Sequence, residues 1–311
     1  MLLLTDSRER LRRALISLEG LSVGDAFGGM YFVEGAVEMA ESRLLFAPEW
    51  DWTDDTLMAL SVVESLANHK GIDPDSLAIS FAAHYDDTRG YGPAMHRLLQ
   101  EIGRGIPWQT AAQAQFGGQG SYGNGGAMRA APIGAYFADD VVRAASEAAR
   151  STAVTHAHPE GVAGAIAIAV AAALAWSGRD KAPLPRAAFL EAVLPHVPES
   201  LVRQKIRQAR DLPAEGTVRL AGAVLGTGLE ISAPDTVPFA LWCAAGYLVD
   251  YEEALWTTLS GMGDRDTTCA IVGGIVACRN GIDGIPSAWK AAREALPGWF
   301  TTVLTQQGEA S

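Results

Sequence analysis

Hydrophobic and polar positions along this chain alternate with a helical period from one end to the other. The spacing predicts helices over 8–29, 55–68, 74–86, 93–104, 108–115, 124–135, 139–152, 159–176, 186–195, 200–210, 235–247, 252–260 and 267–280. Strict apolar/polar alternation is scarce, and 217–225, TVRLAGAVL, is the best short strand candidate. Connections such as 178–185 and 232–235 are short and turn-like. No long Ser/Pro/Gly linker divides the chain and no repeat period shows, so the expectation is one all-α domain over 1–311, a compact multi-helix bundle.

Composition fits that picture. Alanine and glycine abound, aromatic residues are 8% and charged residues 19% of 311 residues, enough chain for a large core of closely packed helices. The formal charge of −12 argues against a nucleic-acid surface or an anionic-membrane surface, both of which need clustered Lys and Arg. A small anionic ligand stays compatible if metal ions or helix N-termini meet it locally. Cys243, Cys269 and Cys278 are odd in number and form no CxxC pair, so buried, reduced thiols are expected, with neither a disulfide framework nor a cysteine zinc site. At the N-terminus the apolar MLLL precedes the basic RERLRR, the reverse of a signal peptide's order. The apolar stretch 161–176 is short and alanine-rich for a bilayer span, and the expectation is a cytoplasmic monomer.

Two acidic clusters carry candidate chemistry. GMGDRDTTCA (261–270) sets Asp264 and Asp266 two positions apart ahead of a buried helix expected to start at Thr267 or Thr268. WDWTDDT (50–56) repeats the arrangement with Thr53, Asp54 and Asp55. Capping explains one such side chain per helix. Two clusters, each with more carboxylates than a cap requires, favour a shared site for hard divalent cations, because neighbouring carboxylates repel unless a cation or proton lies between them.

The run 117–136, GGQGSYGNGGAMRAAPIGAY, reads either as a flexible surface loop or as a backbone cradle for a ligand, with Gly126–Ala135 able to begin a helix whose N-terminus favours phosphate. It lacks the GK[ST] of a Walker A loop and the preceding strand of a Rossmann fingerprint. Ser121, Tyr122 and Asn124 offer hydrogen-bonding groups and an aromatic face. In THAHPEG (155–161), His156 and His158 stand at a helix entrance, where a structural hydrogen bond, a metal ligand and a contact to the glycine loop's ligand are all open readings.

Taken together, GLSVGDAFGG (20–29), WTDDT (52–56), GSYGNGGAMRAAPIGAY (120–136), THAHPEGVAGA (155–165) and GDRDTTCAIVGGIVA (263–277), in this order, resemble the ADP-ribosylglycohydrolase family over nearly the whole chain. The resemblance implies an all-helical fold with two divalent cations, magnesium or manganese, at the bottom of a cleft. It implies ligands from Thr53, Asp54 and Asp55 on one side and from Asp264, Asp266 and Thr267 on the other. Gly120, Ser121, Tyr122, Gly123 and Asn124, with His156 close by, would hold ADP-ribose. GSYGNGGAMR is particularly similar to the branch acting on serine-linked and related O-linked ADP-ribose.

The implied activity is hydrolysis of the bond between ADP-ribose and an acceptor, a protein side chain or small molecule, with Asp55 or Asp264 holding the water. Much of the family carries a glutamate seven residues after the aspartate of GDAxG; here that position is Phe32, and Glu34 is the nearest candidate for the acid. Arg265 fills the middle of D-x-D, where a small or polar residue is common; it points outward or reaches a phosphate. Rival readings are a catalytically silent ADP-ribose binder, a two-metal phosphohydrolase of nucleoside diphosphate compounds, and a structural recruitment of the fold.

Overall fold

In the computed structural model, which describes residues 6–306, the chain forms α1 (Ser7–Gly29), α2 (Ala36–Glu41), α3 (Asp54–His69), α4 (Pro74–Ala83), α5 (Pro93–Gly103), α6 (Trp108–Gly118), α7 (Ala131–Tyr136), α8 (Val141–Ala153), α9 (Pro159–Ser177), α10 (Arg186–Val193), α11 (Leu201–Asp211), α12 (Val218–Leu225), α13 (Ala233–Gly246), α14 (Tyr251–Leu259), α15 (Arg265–Asn280), α16 (Ser287–Ala292) and α17 (Gly298–Gln306). Among the described residues no strand forms; pairing is limited to the isolated bridges Trp50–Arg293 and Gly123–Ser232. The MLLL run and both ends of the expected 1–311 domain lie outside the described residues.

The all-α expectation holds, and three local readings change. The strand candidate 217–225 is helix α12: Thr217 accepts a hydrogen bond from the Leu220 N–H, and Ala221 and Leu225, four apart, turn inward together. Its β-branched residues mimic a strand, but the buried pair has helical spacing. The expected helix 124–135 is one 3₁₀ turn, Asn124–Gly126, then a break before α7, so no α-helix N-terminus stands at Gly126. Asn124 there is drawn aside by long-range hydrogen bonds described below. Finally, α15 begins at Arg265, with Asp264 at its N-cap position.

Helix α9 is apolar all round and lies at the centre, against α7, α8, α13 and α15. It is long and apolar enough to cross a membrane by length and composition, but 78% of its most apolar window is buried inside the protein, as for a core helix.

The most extensive helix pairing is α1 on α15, and small residues make it close. Gly20, Gly24 and Gly28 recur every fourth residue on one face of α1, opposite the backbone carbonyls of Gly273, Cys269 and Arg265. An added Cβ would lie 2.5, 2.2 and 2.2 Å from those oxygens. Nothing larger than hydrogen fits. The consequence is positional: backbone-to-backbone packing brings Asp25 of α1 next to the start of α15, where the second acidic cluster sits.

Candidate active site

Local sequence sets up each half of the acidic site. At α3, Thr53 occupies the N-cap and its hydroxyl accepts from the Asp55 N–H at 3.3 Å, so the cap is satisfied and the Asp54 and Asp55 carboxylates are left for other work. The Asp54 N–H donates instead to the Arg89 carbonyl at 2.7 Å. Asp264 holds the N-cap position of α15 without capping; its carboxylate turns aside and accepts from Asn124 Nδ2 at 2.6 Å. Asn124 Nδ2 also donates to Thr236 Oγ1 at 3.0 Å. Those two bonds explain why the glycine run does not continue as helix at this point.

The two halves meet across 212 residues of sequence, where Thr267 Oγ1 donates to Asp55 Oδ2 at 3.3 Å. Oxygen atoms of Asp25, Asp55 and Asp266 all lie within 4.8 Å of one another. Asp25, which sequence reasoning passed over, accepts Thr53 N–H (2.9 Å), Thr53 Oγ1 (2.8 Å), Thr56 N–H (3.1 Å) and Thr56 Oγ1 (2.5 Å). Its Oδ2 takes three of these donors and is saturated, so Asp25 anchors the start of α3 from behind and adds negative charge more than it offers free lone pairs. A buried acid on an otherwise apolar helix face, one residue after Gly24, was the available signal.

Burial and mutual repulsion push these carboxyls up. Asp54 and Asp264 rise to about 8 and Asp266 to about 6, first through burial and then through neighbouring aspartates. Asp25 rises through burial, and Asp55 stands well above its usual range for the same reason, reinforced by Asp25, Asp266, Asp54 and Asp264. Asp55 Oδ1 is buried without a hydrogen-bond partner. A set of crowded, oxygen-only ligands with one orphaned carboxylate oxygen and two threonine hydroxyls fits a hard divalent cation.

These residues form one end of a cavity of about 380 Å³. Asp54, Asp55, Asp264, Asp266 and Thr267 line that end, and Ser121, Tyr122, Gly123, Asn124 and His156 line a wall. Phe116, Met128, Gly90 and Glu230–Ser232 also line it, none of which the sequence had singled out. Thr53 sits behind the lining. So does Gly120, which turns the chain with φ +76°. Phe116 and Tyr122 stand half exposed, leaving aromatic faces open. His156 is buried, with its ring against the glycine run: a Cβ on Gly125 would meet His156 Cε1 at 2.7 Å. His158 caps α9 by accepting from the Glu160 N–H at 3.1 Å, and its ring packs edge-on to Tyr122 at 5.3 Å.

Glu34 is exposed on the turn between α1 and α2 and is not among the lining residues. Arg265 neither lines the cavity nor points free into solvent. Its guanidinium donates to the Tyr31 carbonyl and lies 4.7 Å from the centre of the Phe32 ring.

Comparison with known proteins identifies the family and the fold. A family model described as ADP-ribosylglycohydrolase matches residues 6–309. The chain is 30% identical to ADP-ribosylhydrolase ARH3 of Homo sapiens, covering 93% of this chain and 90% of that protein. It is 25% identical to ADP-ribosylarginine hydrolase Tri1 of Pseudomonas putida (strain GB-1), over 90% of this chain and 74% of that protein. A solved structure titled ADP-ribosylglycohydrolase-related protein complex superposes with a TM-score of 0.67 at 26% identity, covering 98% of this chain and all of the other.

Proposed function

The chain belongs to the ADP-ribosylglycohydrolase family, and from that premise we propose that it is a divalent-cation-dependent hydrolase releasing ADP-ribose from an O-linked acceptor on a protein or small molecule. The observation that carries this reading is the meeting of Asp55 with Thr267 and Asp266 at the end of a cavity whose wall is the glycine run and His156. Thr53, Asp54, Asp55, Asp264, Asp266 and Thr267 would hold two magnesium or manganese ions, with Asp25 anchoring Thr53 behind them. When bound, such ions supply Lewis-acid polarisation and lower the pKa of water.

The chain's own groups account for the rest. Asp55, which lines the cavity, would accept a hydrogen bond from the attacking water and take its proton. That proton would return from Asp55 to the departing acceptor oxygen, while Asp264, held by Asn124 Nδ2, helps to fix the water. Deprotonated once the cations bind, the Asp54 and Asp264 carboxylates would stabilise positive charge as it builds on the ribose when the bond breaks. The 121–125 run and the His156 edge, which line the wall, would face the diphosphate and ribose, and Phe116 and Tyr122 would offer π faces to the base. The O-linked class rests on the GSYGNGGAMR resemblance. The reading extends to a cytoplasmic protein and to a monomer, the second of which light scattering after size exclusion checks.

The test is release of ADP-ribose from serine-, acetyl- and arginine-linked substrates with and without magnesium or manganese. Unchanged activity in Asp54→Ala and Asp264→Ala would overturn the reading. Tight ADP-ribose binding without turnover on any linkage selects the silent binder instead, a reading that Phe32 in place of glutamate favours. AMP release from ADP-ribose selects a phosphohydrolase.

A further inference from the structure

Five carboxylates line the cavity, Asp54, Asp55, Glu230, Asp264 and Asp266, and among its lining residues there is no Lys or Arg. The nearby cation is instead behind the wall. Arg129 is fully buried, its guanidinium 4.8 Å from the centre of the Phe81 ring, and among the described residues no carboxylate pairs with it. Such a burial is costly, and it is offset through the two terminal nitrogens while Nε is left without a partner. Arg129 Nη1 donates to the Gly125 carbonyl, and Nη2 donates to the Ser151 carbonyl at 3.2 Å and to Thr155 Oγ1 at 2.8 Å.

Thr155 Oγ1 has a second neighbour, His156 Nδ1, at 2.7 Å. A guanidinium has only donors, so Thr155 must accept from it, and because His156 Nδ1 is the one acceptor that Thr155 Oγ1 meets among the described residues, the single threonine hydrogen goes to Nδ1. An Nδ1 that accepts is unprotonated, which puts the ring proton of a neutral imidazole on Nε2. The ring is kept neutral because burial, and then the Arg129 charge, hold it down to about 3. Its Nε2 lies on the glycine-run side, 3.0 and 3.2 Å from where side chains on Gly125 and Gly123 would begin.

We propose that Arg129 and Thr155 are positioning residues that lock His156 as a neutral Nε2–H donor facing the glycine run, so that a phosphate or ribose oxygen meets a fixed hydrogen-bond donor and not an imidazolium. Arg129 sets both sides of that contact at once, through the Gly125 carbonyl and through Thr155. The identity of the ligand rests on the function proposed above; the tautomer does not.

The experiment is ¹⁵N NMR of histidine-labelled protein, with the His156 signal assigned by its loss in His156→Gln, alongside calorimetric binding of ADP-ribose and of manganese. The wild type should show the neutral Nε2–H form between pH 5 and 8. Thr155→Val, near-isosteric, should lose that single tautomer and weaken ADP-ribose binding by about tenfold or more, the scale of a lost hydrogen bond to a charged group. Manganese affinity should stay within about twofold of wild type in that variant, since the relay touches no acidic residue. Thr155→Ser should restore both the tautomer and the affinity, and Arg129→Met should mix the tautomers even if it also lowers stability. An Nδ1–H form in the wild type, or an unchanged tautomer and affinity in Thr155→Val, overturns the proposal. A wild type with the Nε2–H form that binds no ADP-ribose leaves the relay standing and overturns the functional reading.

Discussion

Replacing Gly24 by alanine tests whether backbone packing of α1 on α15 is what builds the acidic site. The new Cβ would stand 2.2 Å from the Cys269 carbonyl oxygen and 2.8 Å from its carbon, both backbone atoms that no rotamer change can move. Ordinary contact begins near 3.4 Å, so the helices must part locally by about 1 Å, enough to forfeit a quarter to a half of each dispersion contact along the seam. Overpacking of this kind costs about 1–3 kcal/mol, and the fully buried Val23, Cys269 and Ala270 around it argue for the upper end. Alanine's better helix propensity returns up to about 1 kcal/mol, leaving a net loss of about 2 kcal/mol. Gly29→Ala is the internal control, because its Cβ would meet nothing nearer than the Asp51 carbonyl at 3.8 Å and Thr53 Cγ2 at 3.9 Å. Urea unfolding in EDTA should therefore separate the two variants by about 2 kcal/mol. Manganese titration should show Gly24→Ala weakened by about tenfold or more, because Asp25 and the Thr53 it anchors shift with the helix. Variants within about 0.5 kcal/mol of each other and equal in manganese affinity would refute the reasoning.

Further outcomes follow from the same geometry. With Asp54 and Asp264 at about 8 and Asp266 at about 6, the metal-free site holds protons at pH 7 that the unfolded chain has already lost. Metal-free stability is therefore full below the unfolded carboxyl value of about 4 and falls as pH rises through about 8, so melting in EDTA should be lower at pH 9 than at pH 6. At pH 7 manganese binding should release protons, seen as a calorimetric heat that varies with the buffer's ionisation enthalpy; a buffer-independent heat would contradict the raised carboxyls. Asp25→Asn can keep the three donors on one oxygen and reverse the fourth bond, its amide donating to Thr53 Oγ1, so it should fold but should bind manganese at least about tenfold more weakly. Asp25→Ala strands two buried N–H groups and should lose about 2–6 kcal/mol by denaturant unfolding. Glu34→Gln should turn over within about threefold of wild type, because its carboxylate lies outside the cavity; a hundredfold loss would require the 31–35 turn to close over the site.

How much of this was legible in the sequence depended on whether a residue's partner lay nearby in the chain. Helix α9 was read as 159–176 and found as Pro159–Ser177, because its apolar run and the His158-Pro159-Glu160 start are local signals. Thr53-Asp54-Asp55 and Asp264-x-Asp266 were visible as surplus carboxylates for the same reason. Asp25 was not, although it lay inside a quoted motif: its four donors come from 28 and 31 residues downstream, and alone on an apolar helix it carries no cluster to notice. Arg129 escaped in the same way, as a lone arginine in a glycine-rich run whose Ser151 and Thr155 partners stand on the other side of α8's end. The strand reading of 217–225 failed on local grounds, since its short apolar/polar alternation was weighed ahead of the helical spacing of Ala221 and Leu225.

The two departures from the family pattern prove to be one contact. Successive residues in the first turn of a helix point about 100° apart, and at the start of α15 that divides the labour three ways. Asp264 turns to Asn124, Asp266 to the Asp25–Asp55 group, and Arg265, between them, faces away. Facing away brings it onto the turn after α1, where it donates to the Tyr31 carbonyl and lies against Phe32, the residue standing where a glutamate is common. A glutamate at 32 would set a carboxylate beside that guanidinium. Phenylalanine gives it a ring face, a neutral partner that leaves the arginine's charge unpaired within a strongly acidic corner. Arginine in the middle of D-x-D and phenylalanine at 32 thus pack on each other, and they do so away from the cavity, leaving its end to the carboxylates and Thr267.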